Sequence, residues 1–382
     1  MRHGDTEIGR HGETRNRSPR RRVSPSPRLL KAFRRLLTAH RSPLTILSCR
    51  LRSAACLLCL LLTAHCSLLT ASAATWSRQK SGTMAWLHAV QFLDQNHGWV
   101  AGSGGTLLET NDGGATWKRV STLTKDTFRD VCFVDDHTGW LIAERDVYKL
   151  KTNDEARSYL LRTDDGGLTW RPIYLDGVDA NARLVRVIFA NPANGWVFGE
   201  TGVVLATSDG GVHWTPQSPP TKHLLLGGAF FDSSRLWLVG AGATIIHTNN
   251  SGVTWQTASV RDHLKFRFYS TSFVSDRLGW AVGSSGRIFA TIDGGRTWLP
   301  QRSNVTVDLL DVKFINPSEG WAAGADGTLL RTVNGGRQWF AETSGISHAL
   351  TRIHFVDRNH GWAVGFGGTI LTLGNKSAPS LR

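Results

Sequence analysis

The chain has 382 residues and a formal net charge of +14, enough for two average domains or one large repeat domain. Residues 1–73 carry 14 Lys/Arg against 3 Asp/Glu, so the remainder is nearly neutral and the overall charge gives no argument for nucleic-acid binding. Four of the five cysteines precede residue 67 and Cys132 stands alone in an apolar run, which excludes an internal disulfide framework beyond the N-terminal region.

Residues 1–52 are rich in Arg, Ser and Pro and cannot bury a core, so they read as a disordered basic extension. The near-copies "LLTAHRS" and "LLTAHCS" within and just after it look like a translated DNA repeat upstream of a later start. Residues 53–73 read as a signal peptide: Arg50 and Arg52 precede the apolar run Ala54–Leu62, and small residues end at Ala73. Export is therefore expected, with cleavage after Ala73 or with the segment kept as an N-terminal anchor. The apolar run is too short for a good membrane span.

From Ala74 onward the chain repeats. Tryptophans at Trp99, Trp140, Trp196, Trp237, Trp280, Trp321 and Trp362 recur at spacings of 41, 56, 41, 43, 41 and 41 residues, and a Phe lies seven residues before each. Each unit reads as four short strands, A to D: an alternating run ending at the Phe, a strand opening at the Trp, an apolar run after a Gly-rich hinge, and a last strand opening at a second Trp. Four-stranded units of about 40 residues indicate an all-β fold, a seven-bladed β-propeller. The seventh unit lacks its second Trp, and "ATWSRQKSGT" near Trp76 matches strand D of the first unit. An N-terminal strand is thus expected to close the ring, with the propeller spanning residues 74–376 and a tail at 377–382.

Strands C and D are joined by Thr-x-Asp/Asn-Gly-Gly, with Asp112, Asp165, Asp209, Asn250, Asp293 and Asn334 at the acidic or amide position. The pattern is local turn chemistry: a side-chain oxygen accepts from turn N–H groups and Gly supplies positive φ. Asn serves as well as Asp, so these are read as structural Asp-box positions.

The whole unit, Gly-Trp-x-x-Gly-x-x-Gly-x-x-x-x-Thr-x-Asp-Gly-Gly-x-x-Trp, resembles the repeat of the photosystem II assembly/stability factors, the Ycf48/HCF136-like propellers. The resemblance implies an exported, non-enzymatic scaffold. It also implies a protein client, a membrane-protein subunit or assembly intermediate, met by a basic surface patch. No cofactor, metal or nucleic acid is implied. Membrane contact would come only through the partner, and the protein is expected to be a monomer.

The competing reading is a secreted Asp-box propeller that binds or hydrolyses glycans. A sialidase needs an arginine triad and a Tyr nucleophile, and other glycosidases need two carboxylates across the sugar. Tyr148, Tyr159, Tyr174 and Tyr269 are the tyrosines present, and nothing in the sequence pairs the acids Asp130, Glu200, Asp311 and Asp326. His97, His137 and His360 lack metal-ligand spacing.

Two features direct attention to one surface. About 12 extra residues separate strands B and C of the second unit, within Glu144–Tyr159, and carry Tyr148, Lys149, Lys151 and Arg157. Long loops in compact domains are often binding loops. Arg129, Arg183, Arg186, Lys265, Arg267 and Arg352 lie near strand A in four units, so they are expected to meet around the central axis and favour an acidic partner.

Overall fold

Alternating aromatic and β-branched residues suit a pleated, half-buried surface, and each repeat uses them to form a blade. The computed structural model describes residues 75–152, 155–261 and 266–374; the basic extension, the signal peptide, Lys265 and the C-terminal tail lie outside the described residues. The inner strands A are Leu87–Phe92, Thr127–Phe133, Leu184–Phe189, Leu225–Phe230, Phe268–Phe273, Leu309–Phe314 and Leu350–Phe355. In each blade A pairs antiparallel with B, B with C, and C with D, giving the seven-bladed propeller. Blade five exceeds the four-strand expectation, because Ser259–Val260 adds a parallel fifth strand beside Thr297–Gln301.

The N-terminal strand closes the ring. Thr75–Gln79 pairs antiparallel with Ile370–Gly374 as the outer strand of blade seven. Trp76, only 9% exposed, meets Phe355 edge-on at 5.9 Å and donates from Nε1 to Glu342 Oε2 of blade six at 2.7 Å. An open sheet edge is thereby paired.

Adjacent blades are joined by a repeated aromatic stack. Trp99 of blade one lies on Phe133 of blade two with centroids 3.6 Å apart and planes 7° from parallel. Trp140–Phe189, Trp237–Phe273, Trp280–Phe314, Trp321–Phe355 and Trp362–Phe92 repeat the contact, the last one closing blade seven onto blade one. The second Trp then meets the other side of the ring edge-on, as Trp117 meets Phe92 at 6.0 Å. Such pairs add about 0.5–1.5 kcal/mol beyond the area they bury.

The glycine of each Gly-Trp pair makes room for this stack: a Cβ on Gly98 would stand 2.5 Å from the Phe92 ring. Blade four breaks the rule and shows why it holds. Leu236 replaces the glycine, is fully buried, and packs with Trp196 in the joint. Phe230, which keeps the seven-residue spacing, is turned out and is 36% exposed.

The inner strands of neighbouring blades are also tied by side chains. Gln91 accepts from Phe133 N at 2.6 Å and donates to Phe133 O at 2.8 Å. Asp130 accepts from Val187 N at 3.0 Å, Ser272 from Phe314 N at 3.0 Å and Asp311 from Ile353 N at 2.9 Å. These bonds satisfy buried backbone N–H groups that no strand partner reaches.

The Asp-box turns repeat one network. Thr110 Oγ1 donates to Asp112 Oδ1 at 2.8 Å and accepts from Gly114 N at 2.9 Å, while Asp112 accepts from Thr116 N and Thr116 Oγ1 at 2.8 and 2.6 Å. Asn250 keeps the geometry by reversing one bond, its Nδ2 donating to Thr254 Oγ1 at 2.8 Å. Gly113 N donates to Asn96 O, docking the turn on the A–B turn of its own blade, and Gly335 N does the same to Ser318 O. Hydrogen bonds to the ionised carboxylates, first from Thr116 and Thr169, pull Asp112 and Asp165 down to about 2.

Three outcomes follow from this architecture. Gly98→Ala should lower stability by about 1–3 kcal/mol through overpacking against Phe92, whereas Gly374→Ala, with open space at its Cβ, should be near neutral in chemical denaturation. Trp76→Ala should cost about 3–5 kcal/mol, and deleting residues 74–80 should destabilise the whole ring rather than one edge; an unchanged melting temperature would contradict closure. Because the folded pKa of Asp112 and Asp165 lies below the unfolded value near ~4, their contribution is present above that value and is lost as pH falls toward about 2. The double variant Asp112→Asn/Asp165→Asn should therefore lose less melting temperature than the parent between about pH 4 and pH 2.

Candidate functional site

The strand order assigns the loops to two faces. Strand A runs away from the first face, so the D–A connections and the B–C hinges lie there, and the A–B and C–D turns with the Asp-boxes lie on the other. The insertion of blade two, being a B–C connection, shares its face with the starts of the inner strands.

Every strand A carries a register slip after its first large apolar residue, as between Leu87 and Ala89 and between Phe128 and Asp130. The extra residue of such a bulge re-aims its side chain. His88, Arg129, Leu226 and Thr351, all at this position, line a cavity of about 170 Å³ at the channel mouth together with Arg183 and Arg352. Residues from blades one, two, three, four and seven thus meet at the axis. Burial, and then the charges of Arg129 and Arg352, lower His88 to about 3, so it is a neutral imidazole at this mouth.

The arginines are cross-linked by two carboxylates. Glu144, nearly fully buried at the end of strand B in blade two, pairs with Arg129 Nε and accepts from Arg157 Nη2 at 2.7 Å. Glu200 at the hinge of blade three pairs with Arg157 Nη1 and with Arg183 Nε, both at 3.3 Å. Three guanidiniums therefore share two carboxylates across blades two and three. Between this network and the insertion lies a cleft of about 590 Å³, lined by Lys125, Glu144, Arg145, Lys149 and Arg157 among others.

The insertion is anchored at its base and exposed at its tip. Arg145 pairs with Glu155 at 3.4 Å and lies 4.4 Å from the centroid of Tyr159, whose Oη donates to Asp126 Oδ2 at 2.7 Å. Burial and that bond raise Tyr159 to about 12, so it remains a neutral donor. At the tip a short 3₁₀ turn, Val147–Lys149, presents Tyr148, 94% exposed. Lys149 pairs weakly with its own Asp146 at 3.5 Å, and Lys151 is exposed.

The sequence-derived candidates divide into groups. Arg129, Arg157 and Arg183 form the face network. Arg186 lies deeper, inside the channel, and Arg352 borders both the channel and the mouth cavity; Arg186 Nε pairs with Asp130 Oδ2 at 3.0 Å and Arg352 is 3.8 Å from Asp311. Arg267 is exposed on blade five and does not line the mouth cavity. The six Asp-box residues sit on the C–D turns of the opposite face. Asp130 and Asp311, both buried, are held by arginines and by backbone N–H groups of the next blade.

Sequence reading missed an apolar lip on the first face. Trp86, 43% exposed, lies 5.2 Å from His88 and 5.8 Å from Phe366, itself half exposed at the hinge of blade seven. The available signal was that the repeat leaves Trp86 without a place.

Comparisons with known proteins fit this geometry. The family described as Photosynthesis system II assembly factor YCF48 matches residues 68–154, 116–219, 212–303 and 299–373. The photosystem II assembly protein Ycf48 of Thermosynechococcus vestitus is 27% identical over 260 residues, 58% of this chain and 74% of that protein. The chloroplastic stability/assembly factor HCF136 of Arabidopsis thaliana is 26% identical over 144 residues, 36% of each chain. The match to the assembly lipoprotein Ycf48 of a Synechococcus strain, 25% identical over 34% of this chain, spans 39% of that relative's length. Among solved structures, "YCF48 bound to D1 peptide" superposes with a TM-score of 0.65 at 22% identity, covering 80% of this chain and 98% of that one. A GH74 xyloglucanase from Xanthomonas campestris reaches 0.60 at 13% identity, covering 80% of this chain and 54% of that one, a likeness of fold alone. With its seven repeats matched from end to end of the propeller, the chain belongs to the Ycf48 family of photosystem II assembly factors.

Proposed function

We propose that this protein is an exported, non-enzymatic assembly factor that holds an acidic segment of a membrane-protein subunit against the insertion face. The observation that carries the reading is the network Arg129–Glu144–Arg157–Glu200–Arg183, three cations to two anions on the face that also bears the insertion. An arginine array with one charge in excess and forked donors suits carboxylate side chains of a client. Tyr148 and Trp86 flank it with exposed rings, which supply rigid contact area at low entropic cost.

The relatives support the same direction. A solved structure likeness is a Ycf48 with a bound D1 peptide, and the matched relatives are named as photosystem II assembly or stability factors, including lipoproteins and a chloroplastic protein. Those names favour export, as does the apolar run after Arg52 with small residues ending at Ala73. The client is a membrane-complex subunit of the D1 kind, bound by the monomeric propeller, with the membrane reached through that client. The acids Asp130 and Asp311 act as ties between blades in this reading rather than as an acid/base pair.

Binding of a D1 peptide with acidic side chains to the full chain, followed by fluorescence anisotropy, tests it. The parent should bind with an affinity that falls as salt rises. Replacing residues 146–156 by a Gly-Ser turn, or Arg183→Glu, should weaken binding tenfold or more while leaving the melting temperature within a few degrees. Equal binding by the parent and both variants would move the site off this face.

A further inference from the structure

The central channel encloses about 430 Å³ below the mouth. Its charges do not balance locally. Arg186 is taken by Asp130 at 3.0 Å. Asp311 already accepts from three other donors, Ser270 Oγ at 2.5 Å, Val312 N at 3.1 Å and Ile353 N at 2.9 Å. Arg352 therefore reaches it only at 3.8 Å, and its Nε, buried, has no acceptor at all. The side chain of Lys313, two residues after Asp311 on strand A of blade six, makes neither hydrogen bond nor ion pair among the described residues. His354 beside it adds no further positive charge, being pushed down to about 3 by burial and by Lys313 itself.

Arg352, with only a distant Asp311 at 3.8 Å, and Lys313, with no ion-pair partner among the described residues, thus face one half-open space. Burial above all holds both Lys313 and Arg352 below their ordinary ranges; the charge of Asp311 opposes the shift in each and that of Arg186 adds to it. An uncompensated charge at such depth is costly unless something pairs with it. The opposite wall, from blades three and four, is apolar: Ile188, Ala229 and Phe230 line the same space. Phe230 is there because Leu236 fills the joint in its place.

We propose that the channel is a binding site for a monocarboxylate with an apolar body, its carboxylate held by Lys313 and Arg352 and its body lying toward Ile188, Ala229 and Phe230. Arg186, Lys313 and Arg352 against Asp130 and Asp311 leave a single positive charge, which one carboxylate neutralises and a dianion would overshoot. The site is separate from the insertion face and does not depend on the client reading.

Titration of the full chain with sodium benzoate, at matched ionic strength, is the direct test, read by calorimetry and by the melting temperature. Benzoate should bind and raise the melting temperature of the parent, while neutral benzamide should do neither. Lys313→Met should weaken benzoate at least tenfold and abolish the thermal shift, yet melt no lower than the ligand-free parent because an unpaired buried cation has gone. Lys313→Arg should restore binding. A short peptide that competes with benzoate only when its C-terminus is free would identify a chain end as the source of the carboxylate; failure of the peptide to compete would identify a free acid. The proposal is overturned if Lys313→Met binds benzoate as the parent does, if benzamide or inorganic phosphate binds equally well, or if benzoate does not bind.

Discussion

The structure rests on one contact, the face-to-face stack of a tryptophan from one blade on a phenylalanine of the next. Strand A of each blade has no backbone partner across the joint, so side chains must supply the cohesion between sheets. A Trp–Phe stack supplies area and geometry together, and the glycine before the Trp is what lets the ring approach. Trp362 on Phe92 is the same contact used to join the end of the chain to its beginning. In blade four the joint is filled by Leu236 instead, which shows that the volume must be filled and that the aromatic partner can be exchanged if the glycine is exchanged with it.

Function is possible because this scaffolding is confined to one level of the ring. The stacks and Asp-box turns occupy the blade bodies and one face. The bulged residues of strand A, the hinges and the single long insertion are left free to vary on the other. His88, Arg129 and Thr351 occupy equivalent positions in three blades and share no chemistry, while the Phe four residues further on is common to all seven. A repeat that is strict where blades touch and loose where strands begin produces an asymmetric surface on a nearly symmetric body. Glu144 and Glu200 then knit the arginines of that surface into one unit spanning two blades.

The family model places the chain among the Ycf48 assembly factors, and the acids near its channel and mouth serve as partners of arginines and backbone groups. Its acids are committed: Glu144 and Glu200 each serve two arginines, and Asp130 and Asp311 accept backbone N–H groups from the next blade. The xyloglucanase likeness is one of fold, and a fold does not by itself fix what a chain does.

The sequence by itself determined the blade number, the strand order and the closure by Trp76, because these follow from the spacing of residues whose roles are local: a Trp opening a strand, a Phe ending one, a Thr and an Asp folding a turn. It also marked the insertion, since a 56-residue interval stands out among intervals near 41. Only the tertiary structure decided which arginines share a surface. Arg129, at the bulge of its strand, and Arg183, just before its strand, line the mouth; Arg186, just past a bulge, lines the channel, and Arg352, also just past one, borders both, a one-residue slip that composition does not announce. The pairing of Glu144 and Glu200 with arginines up to 43 residues distant depends on the curvature of the ring, which brings blade two and blade three together at their inner ends. The eviction of Phe230 was equally hidden, because its spacing is intact. What changed was a glycine six residues later, and the consequence is steric, appearing only when the two blades are pressed together.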